Sequence, residues 1–281
     1  MKKPFFLTIF VAVSSVFAFS QATHEISAFV GGGLSNITYK LPSGNKSAGI
    51  GATFGAEYTY FLDYNLGIHT GLGLNFCNAN AKVDNVKMIS ANFTDNEGDV
   101  FNMHSTLSKY KEKQSAIYLN IPIMAIYQID NYYALGGFKV GIPISAKYKS
   151  EDATITNEGY YPIYNNWAKT QEFAGFGTFQ GRNSDGDFDL RIAFMLSLEA
   201  GMKIFINKDL MLYSGLYFDC GLNNIKKNEY TAFINYNNKS PENFSTNSIL
   251  TSYTDESETT KFVEKANLIS FGIKVRVSFG M

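Results

Sequence analysis

The sequence is poor in charge, cysteine, proline and tryptophan: 17% of its 281 residues are charged, and it holds two Cys, six Pro and one Trp. Each scarcity excludes something. Two cysteines, Cys77 and Cys220, cannot staple a small disulfide framework. With 24 Lys plus Arg against 25 Asp plus Glu the net charge is -1, so there is no basic excess to hold a phosphate backbone, and nucleic acid is not an expected partner. Soluble domains carry about 25% charged residues. The shortfall means that something other than a charged surface covers this chain, although its mean hydropathy lies near zero. Long apolar runs are missing too. Beyond the amino-terminal segment no 18 consecutive apolar residues occur, so no transmembrane helix is available.

Phe (24), Tyr (18) and Gly (24) are abundant instead. Residues 1–20 read as a cleaved export signal: Lys2 and Lys3 form a positive start, Phe5 to Phe17 an apolar run, and Ala18-Phe19-Ser20 a small-x-small site before Gln21. The run is too short to anchor in a bilayer, and no cysteine near the cleavage point offers a lipid attachment. Residues 21–281 are then expected to form a single domain.

That domain has a period of two. From Phe188 to Ile204 the even positions are apolar (Phe188, Leu190, Ile192, Phe194, Leu196, Leu198, Ala200, Met202, Ile204), while Asp189, Arg191, Ser197, Glu199 and Lys203 lie between them. A helix would scatter those charges around its whole surface, so the segment is a strand. Seven further segments alternate in the same way, giving strands near 25–34, 47–61, 66–81, 113–128, 132–148, 187–205, 210–223 and 264–280. Short connections at Asp63-Tyr64-Asn65, Asp130-Asn131 and Asn207-Lys208-Asp209 alternate with long polar ones near 35–46, 82–112, 149–186 and 224–263. The pattern predicts an all-β, eight-stranded antiparallel up-and-down transmembrane β-barrel with short periplasmic turns and long extracellular loops. A soluble lipocalin-like barrel would place its apolar face inward and its charges outward.

Side-chain roles follow from the alternation. Tyr58, Tyr60, Tyr64, Tyr127, Tyr132, Phe205 and Phe279 fall near the short turns and are expected to form an aromatic girdle at headgroup level. Glu57, Lys139, Arg191, Glu199, Lys203, Asp219, Lys274 and Arg276 fall on the inward face, where an eight-stranded lumen has room only for side chains that pair with one another. Lys139 and Glu199 are expected to pair, and Glu57 to reach Arg276 or Lys274. Cys77 reads as inward and Cys220 as outward on strands that are not neighbours, which speaks against a disulfide.

Chemistry is sparse. His24 lies at the barrel entrance, His69 in the lower lumen and His104 in the second long loop, where His104-Ser105 could be offered as a hydrolase pair without an evident acid partner. Asp185, Asp187 and Asp189 alternate as oxygen ligands do in cation loops, but the distal Glu of an EF-hand is missing. Gly49, Gly51 and Gly55 do not have dinucleotide-fingerprint spacing and no helix follows them, so no cofactor is expected. The third long loop carries Tyr160, Tyr161, Tyr164, Trp167, Phe173, Phe176 and Phe179; the fourth is rich in Asn and carries Tyr230, Phe233, Tyr236 and Phe244. Aromatics beside amides suit a glycan or protein ligand, and equally suit loops that pack together over the barrel mouth.

The segment Tyr118-Leu119-Asn120-Ile121-Pro122-Ile123-Met124, followed by a short turn and the Gly-rich strand from Tyr133 to Lys147, resembles the aromatic-Leu-x-Ile-Pro-Leu strand of the small outer-membrane β-barrel proteins of Bacteroidetes, the PorT-like family, which is similar in architecture to OmpA and OmpX. The resemblance implies an outer-membrane location in a Gram-negative cell, contact with outer-membrane lipid, insertion by the barrel-assembly machinery, and a monomeric, non-enzymatic protein whose loops meet an envelope or external partner. Chains of that kind typically stop on an aromatic residue; here Gly280-Met281 follow Phe279. A narrow porin-like channel and a loop-borne hydrolase are the alternatives.

Overall fold

A computed structural model describes residues 24–280 apart from 256, 258 and 259, so the proposed export signal lies outside the described residues. Eight long strands, β1 (His24–Tyr39), β2 (Asn45–Phe61), β3 (Leu66–Val83), β4 (Val100–Ile129), β5 (Tyr132–Tyr161), β6 (Ala193–Phe205), β7 (Leu210–Gly221) and β8 (Ala266–Gly280), pair antiparallel with their sequence neighbours. β8 closes on β1, from Glu25 opposite Gly280 to Tyr39 opposite Ala266. A closed ring leaves no unpaired edge within a bilayer, which lipid requires.

In β6, Phe194, Leu196, Leu198, Met202 and Ile204 are exposed, whereas Ala193, Met195, Ser197, Glu199 and Lys203 are buried. Val30, Leu34, Phe54, Leu72, Phe138, Leu216 and Ile273 continue the exposed apolar face around the ring. So much contiguous apolar surface marks a wall that meets lipid. On β4 the outward apolar residues run from Ile129 up to Ile117, a rise of about 30 Å for a strand tilted about 40°, which is the thickness of a bilayer's hydrocarbon.

Above Ile117 the same strand inverts its polarity. Its outward positions become Ser115, Lys113, Lys111 and Lys109 and its inward ones Gln114, Glu112 and Tyr110; the pairing with β5 shifts at Ser108 and Lys109, both exposed, and beyond that reset Leu107, Met103 and Phe101 are fully buried. A register shift marks the boundary: Ile117 faces Ser145, but Tyr118 faces Pro143. Where lipid ends and water begins, the apolar face must turn inward; in β5 the extra residue makes that turn, sending Lys147 and Lys149 outward and Ala146 and Tyr148 inward, while β4 keeps its parity and changes its residues.

The two predicted loops 82–112 and 149–186 are therefore largely β-structure. β4 and β5 are 30 residues each, strand 86–94 pairs on β4, and strands 166–168, 177–182 and 185–187 pair on β5. Segment 224–263 folds into the mouth of this tall sheet and buries Ile225, Phe233, Ile234, Phe244, Ile249, Leu250, Phe262 and Val263 against Met88, Phe101, Met103, Leu107 and Tyr110. The result is a cap with an apolar core of its own, so the fourth long connection is a plug.

Arg191 does not reach the lumen. The alternation of 193–204 breaks at residues 191 and 192, which lie outside the strand; Phe188 and Leu190 turn into the cap core, and Arg191 is left exposed. Its amide donates to the Ile225 carbonyl at 2.6 Å, tying this irregular stretch to the start of the plug.

Candidate functional site: the lumen network and the cap

Inside the membrane-spanning part, alternation turns every second residue inward, apolar ones such as Met124, Ile126, Leu135 and Met211 among them, and the narrow bore brings the polar ones together. At the short-turn end, Glu25 of β1 accepts hydrogen bonds from Tyr213 OH (2.8 Å) and Ser278 Oγ (2.8 Å) and lies 3.3 Å from Lys203 Nζ. Above it, Lys274 Nζ sits 2.6 Å from Glu57 and 3.0 Å from Glu199. Arg276 donates to Glu199 and lies 3.6 Å from Glu57. Tyr133 OH donates to Glu199 at 2.9 Å. Higher still, Lys139 Nζ is 2.8 Å from Asp219, which also accepts from Ser197 Oγ at 2.6 Å.

Four carboxylates (Glu25, Glu57, Glu199, Asp219) thus meet four cations (Lys139, Lys203, Lys274, Arg276). Such neutrality is what allows charges to remain in a low-dielectric interior. Room for the long side chains comes from glycine: a Cβ on Gly55 or Gly73 would fall within 2.9 Å of the Phe29 ring, and Lys274 Nζ lies 4.2 Å over that ring. Where Pro122 lacks an amide, the β3–β4 pairing lapses beside it, and Thr70 Oγ1 donates to the Pro122 carbonyl at 2.8 Å. A cavity of about 20 Å³ remains there, enough for one water.

The expected pair Glu57 with Lys274 and Arg276 is present, but Lys139 bonds to Asp219 and not to Glu199. The strands are staggered: Lys139 stands opposite Met195, and Glu199 opposite Leu135, four residues nearer the short turn. Counting heights from the turns ignores that stagger. Glu25, Tyr213 and Ser197 were outside the predicted network, although Glu25 shares the inward parity of Ser27 and was visible by alternation.

Thr59, His69 and Glu57 form a hydroxyl, imidazole and carboxylate in line: Thr59 Oγ1 is 2.8 Å from His69 Nδ1, and His69 Nε2 is 3.4 Å from Glu57. All three are sealed in the lumen and Glu57 is already held by Lys274, so the arrangement serves packing. His104 and Ser105 do not make a pair. Adjacent strand residues point to opposite faces; Ser105 is buried and donates to Asn157 Oδ1 at 2.7 Å, whereas the His104 ring packs outward, 4.7 Å from Trp167.

Tyr127, Tyr132, Phe205 and Phe279 are exposed at the short-turn end, as is Tyr64; Tyr58 and Tyr60 are partly covered, with the His24 ring 5.8 and 5.3 Å from theirs. At the opposite end the four loop candidates divide. Tyr161 packs on Phe101 and donates to Asp95 at 3.0 Å, and Tyr164 donates to Asp99 at 3.1 Å, so both tie one hairpin of the cap to the next. Tyr160 and Trp167 lie on the outward face beside His104, their rings tilted with centroids 5.0 Å apart. Asp187 lies 4.0 Å from Lys147 and Asp189 2.7 Å from Lys227, while Asp185 is exposed. Among the described residues no cluster of three or more His, Cys, Asp or Glu could hold a metal. Cys77 is buried and Cys220 faces outward, and both are free.

Glu112 joins the plug to the wall. Buried on β4 above the lipid-facing band, it accepts from Tyr110 OH (2.9 Å), Gln114 Nε2 (2.8 Å), Ser248 Oγ (2.7 Å) and the Ile249 amide (3.0 Å). Burial raises its carboxyl above the ordinary range, against those donors. Lys226, at the foot of the plug, is lowered to about 7 by burial and by Lys261; its ammonium lies over the Tyr230 ring and donates to the Val263 carbonyl.

The model of the outer membrane protein beta-barrel domain matches residues 19–227, most of the sequence. The chain belongs to that family. Solved structures similar to this outer-membrane β-barrel include the amino-terminal barrel of OprF from Pseudomonas aeruginosa, 13% identical over 93% of this chain and 100% of that one (TM-score 0.28), and Neisserial surface protein A, 11% identical over 92% and 99% (TM-score 0.30). The outer membrane protease OmpT from Escherichia coli is 9% identical over 94% and 99% (TM-score 0.33). No curated protein matches the sequence.

Proposed function

We propose that this outer-membrane β-barrel is a non-enzymatic envelope protein that passes nothing through its lumen and presents its cap to an external or envelope partner, a glycan or a protein. The observation that carries the reading is the double closure of one bore: a neutral charge network fills the membrane-spanning part, and the Glu112-anchored plug with its apolar core fills the part above. The Tyr118–Met124 strand, with its likeness to PorT-like barrels of Bacteroidetes, fits the same reading. The outward Tyr160, Trp167 and His104 rings offer flat apolar faces where a sugar ring or a partner's side chain can stack. The test is conductance in planar bilayers: the purified chain is expected to leave the baseline unchanged, and steady open steps would overturn the closed lumen in favour of a narrow channel. As the only tryptophan, Trp167 also reports on the cap: its emission is expected to shift when a ligand stacks there.

A further inference from the structure

The asparagines of the fourth long connection gather where the plug meets the cap wall. A cleft of about 580 Å³ lies there, lined by residues 92–94 of strand 86–94, by residues 235–238 of the plug, and by Asn243 and Ser245. Ligand pockets run from about 300 to 1,000 Å³, so the cleft is of ligand size. None of its nine lining residues is charged, and five are Asn.

Both walls are held in place. Phe93 and Tyr236, one from each wall, stack with ring centroids 5.3 Å apart, and both pack against the fully buried Phe101. Pairing of Ile234 with Thr246 and of Asn235 with Ser245 fixes the plug side. On the other side a register shift sets Ala91 and Asn92 against the single residue Asn102, whose Oδ1 accepts from the Asn92 amide at 3.2 Å. Asn92 has a φ of 61°, a conformation that Asn tolerates, and such bulges re-aim side chains next to sites.

The donors and acceptors of the cleft select its ligand. A carboxamide carries both a carbonyl acceptor and an NH2 donor, so it meets a hydroxyl in either role. Among the described residues, the Asn92, Asn235 and Asn238 side chains are exposed and bond to no other protein group. The Lys239 amide engages Asn237 Oδ1 and leaves the NH2; Ser240 and Glu242 engage Asn243 Nδ2 and leave the carbonyl. An ionic ligand finds no counter-charge on the lining. Asp95, next to Thr94, is held by Tyr161 and by amides of its own hairpin, and Lys239 and Glu242, beside the plug's asparagines, are of opposite sign. A purely apolar ligand would cover five amides and leave them unpaired.

We propose that this cleft binds a neutral oligosaccharide, with the Asn side chains on its hydroxyls and the Phe93 and Tyr236 rings against the C–H face of a sugar. The inference rests on the reading that the cap meets an external partner, and it narrows that partner to one class. The site shares no residue with the outward Tyr160, Trp167 and His104 rings.

The full chain, purified in a detergent without a sugar headgroup, is titrated calorimetrically with maltohexaose, cellohexaose, mannohexaose and chitohexaose, and with hexagalacturonate as the acidic probe. At least one neutral probe is expected to bind, and hexagalacturonate to bind none. Asn235→Ala/Asn238→Ala is expected to weaken the neutral probe about tenfold, as the loss of two hydrogen bonds to hydroxyls would. Heat-modifiable migration of that variant should be unchanged, because both side chains are exposed. Lys208→Gln, in a short turn at the far end, serves as the control and is expected to change nothing. Binding of no neutral probe, preference for hexagalacturonate, or equal affinity of the double variant and the parent overturns the proposal. Binding that survives the double variant but is lost in Trp167→Ala overturns the cleft and leaves the proposed function standing. Steady open steps in planar bilayers overturn the proposed function without altering this affinity, so the two failures are told apart.

Discussion

Lys274 Nζ lies 2.6 Å from Glu57 Oε1 although their strands, β8 and β2, are separated in the ring by β1. The contact reaches over β1, and Glu199 approaches the same ammonium at 3.0 Å from β6, across the ring from β2, so the ammonium bridges the bore. Replacing Lys274 by Met leaves Arg276 alone to neutralise both buried carboxylates, an imbalance expected to cost about 3–5 kcal/mol. The check is the temperature at which an unheated, detergent-extracted sample loses its compact gel mobility. Lys274→Met should lower it, and adding Glu57→Gln should restore much of the loss, because the double variant removes one charge of each sign. Independent losses in the two variants would show that the pair is not coupled.

Glu112 gathers four donors, two of them from the plug. Glu112→Ala strands the Ile249 amide and the Tyr110, Gln114 and Ser248 donors in an apolar core, at about 1–3 kcal/mol for each one left unsatisfied. The cap should open while the membrane-spanning ring stays closed. Protease cleavage within 224–263 at a temperature where the parent resists is the expected outcome, with heat-modifiable migration of the barrel retained. The carboxyl is raised, so the folded cap binds a proton that the unfolded chain releases between the ordinary carboxyl range and that raised value. Acidification through that window should therefore stabilise the parent cap and have little effect on Glu112→Gln.

The ring was legible because lipid and lumen impose opposite demands on alternate residues: Leu196 and Leu198 outward, Ser197 and Glu199 inward, on one strand. The cap was not, for the same physical reason. Once a strand leaves the bilayer its apolar residues move inward, so 100–112 alternates on either side of a reset at Ser108 and Lys109, with Met103 and Leu107 against His104 and Thr106, and Tyr110 against Lys109 and Lys111, but with reversed meaning and a polar average. Arg191 was misplaced because alternation alone does not reveal where a strand stops and its parity resets. Lys139 found Asp219 because stagger between strands is a property of the closed ring, and it is invisible along any single strand. Glu112 stands in the segment expected to be a polar connection, and its burial depends on a plug more than a hundred residues away.

Lys226 provides a second pH response with the opposite sign. An unfolded lysine holds its proton to about pH 10.5, whereas folded Lys226 gives it up near 7. Between those values the unfolded state binds the extra proton, so the stability of the plug should rise with pH from about 7 upward. Below 7 both states are protonated, and this residue adds no further slope. Amide hydrogen exchange across 224–263, compared at pH 7 and pH 9 after correction for intrinsic rates, should show stronger protection at pH 9. Lys226→Met should flatten the difference, since its thioether fills the same space without a titrating group. An unaltered slope in the variant would assign the response to another group.

Trp167 and Lys208 mark the two ends of the molecule, one on the outward face of the cap and the other in the short turn between β6 and β7. Their placement makes the orientation testable in intact cells. Trp167→Cys should react within minutes with a membrane-impermeant maleimide, because residue 167 is 41% exposed on the cap, which the proposed function places outside the cell. Lys208→Cys should stay unlabelled until the outer membrane is permeabilised. The two native thiols give little background, Cys77 because it is sealed inside the ring and Cys220 because it sits on the lipid-facing wall of β7. Labelling of position 208 but not 167 in intact cells would invert the molecule, place the short turns outside, and remove the exposed cap.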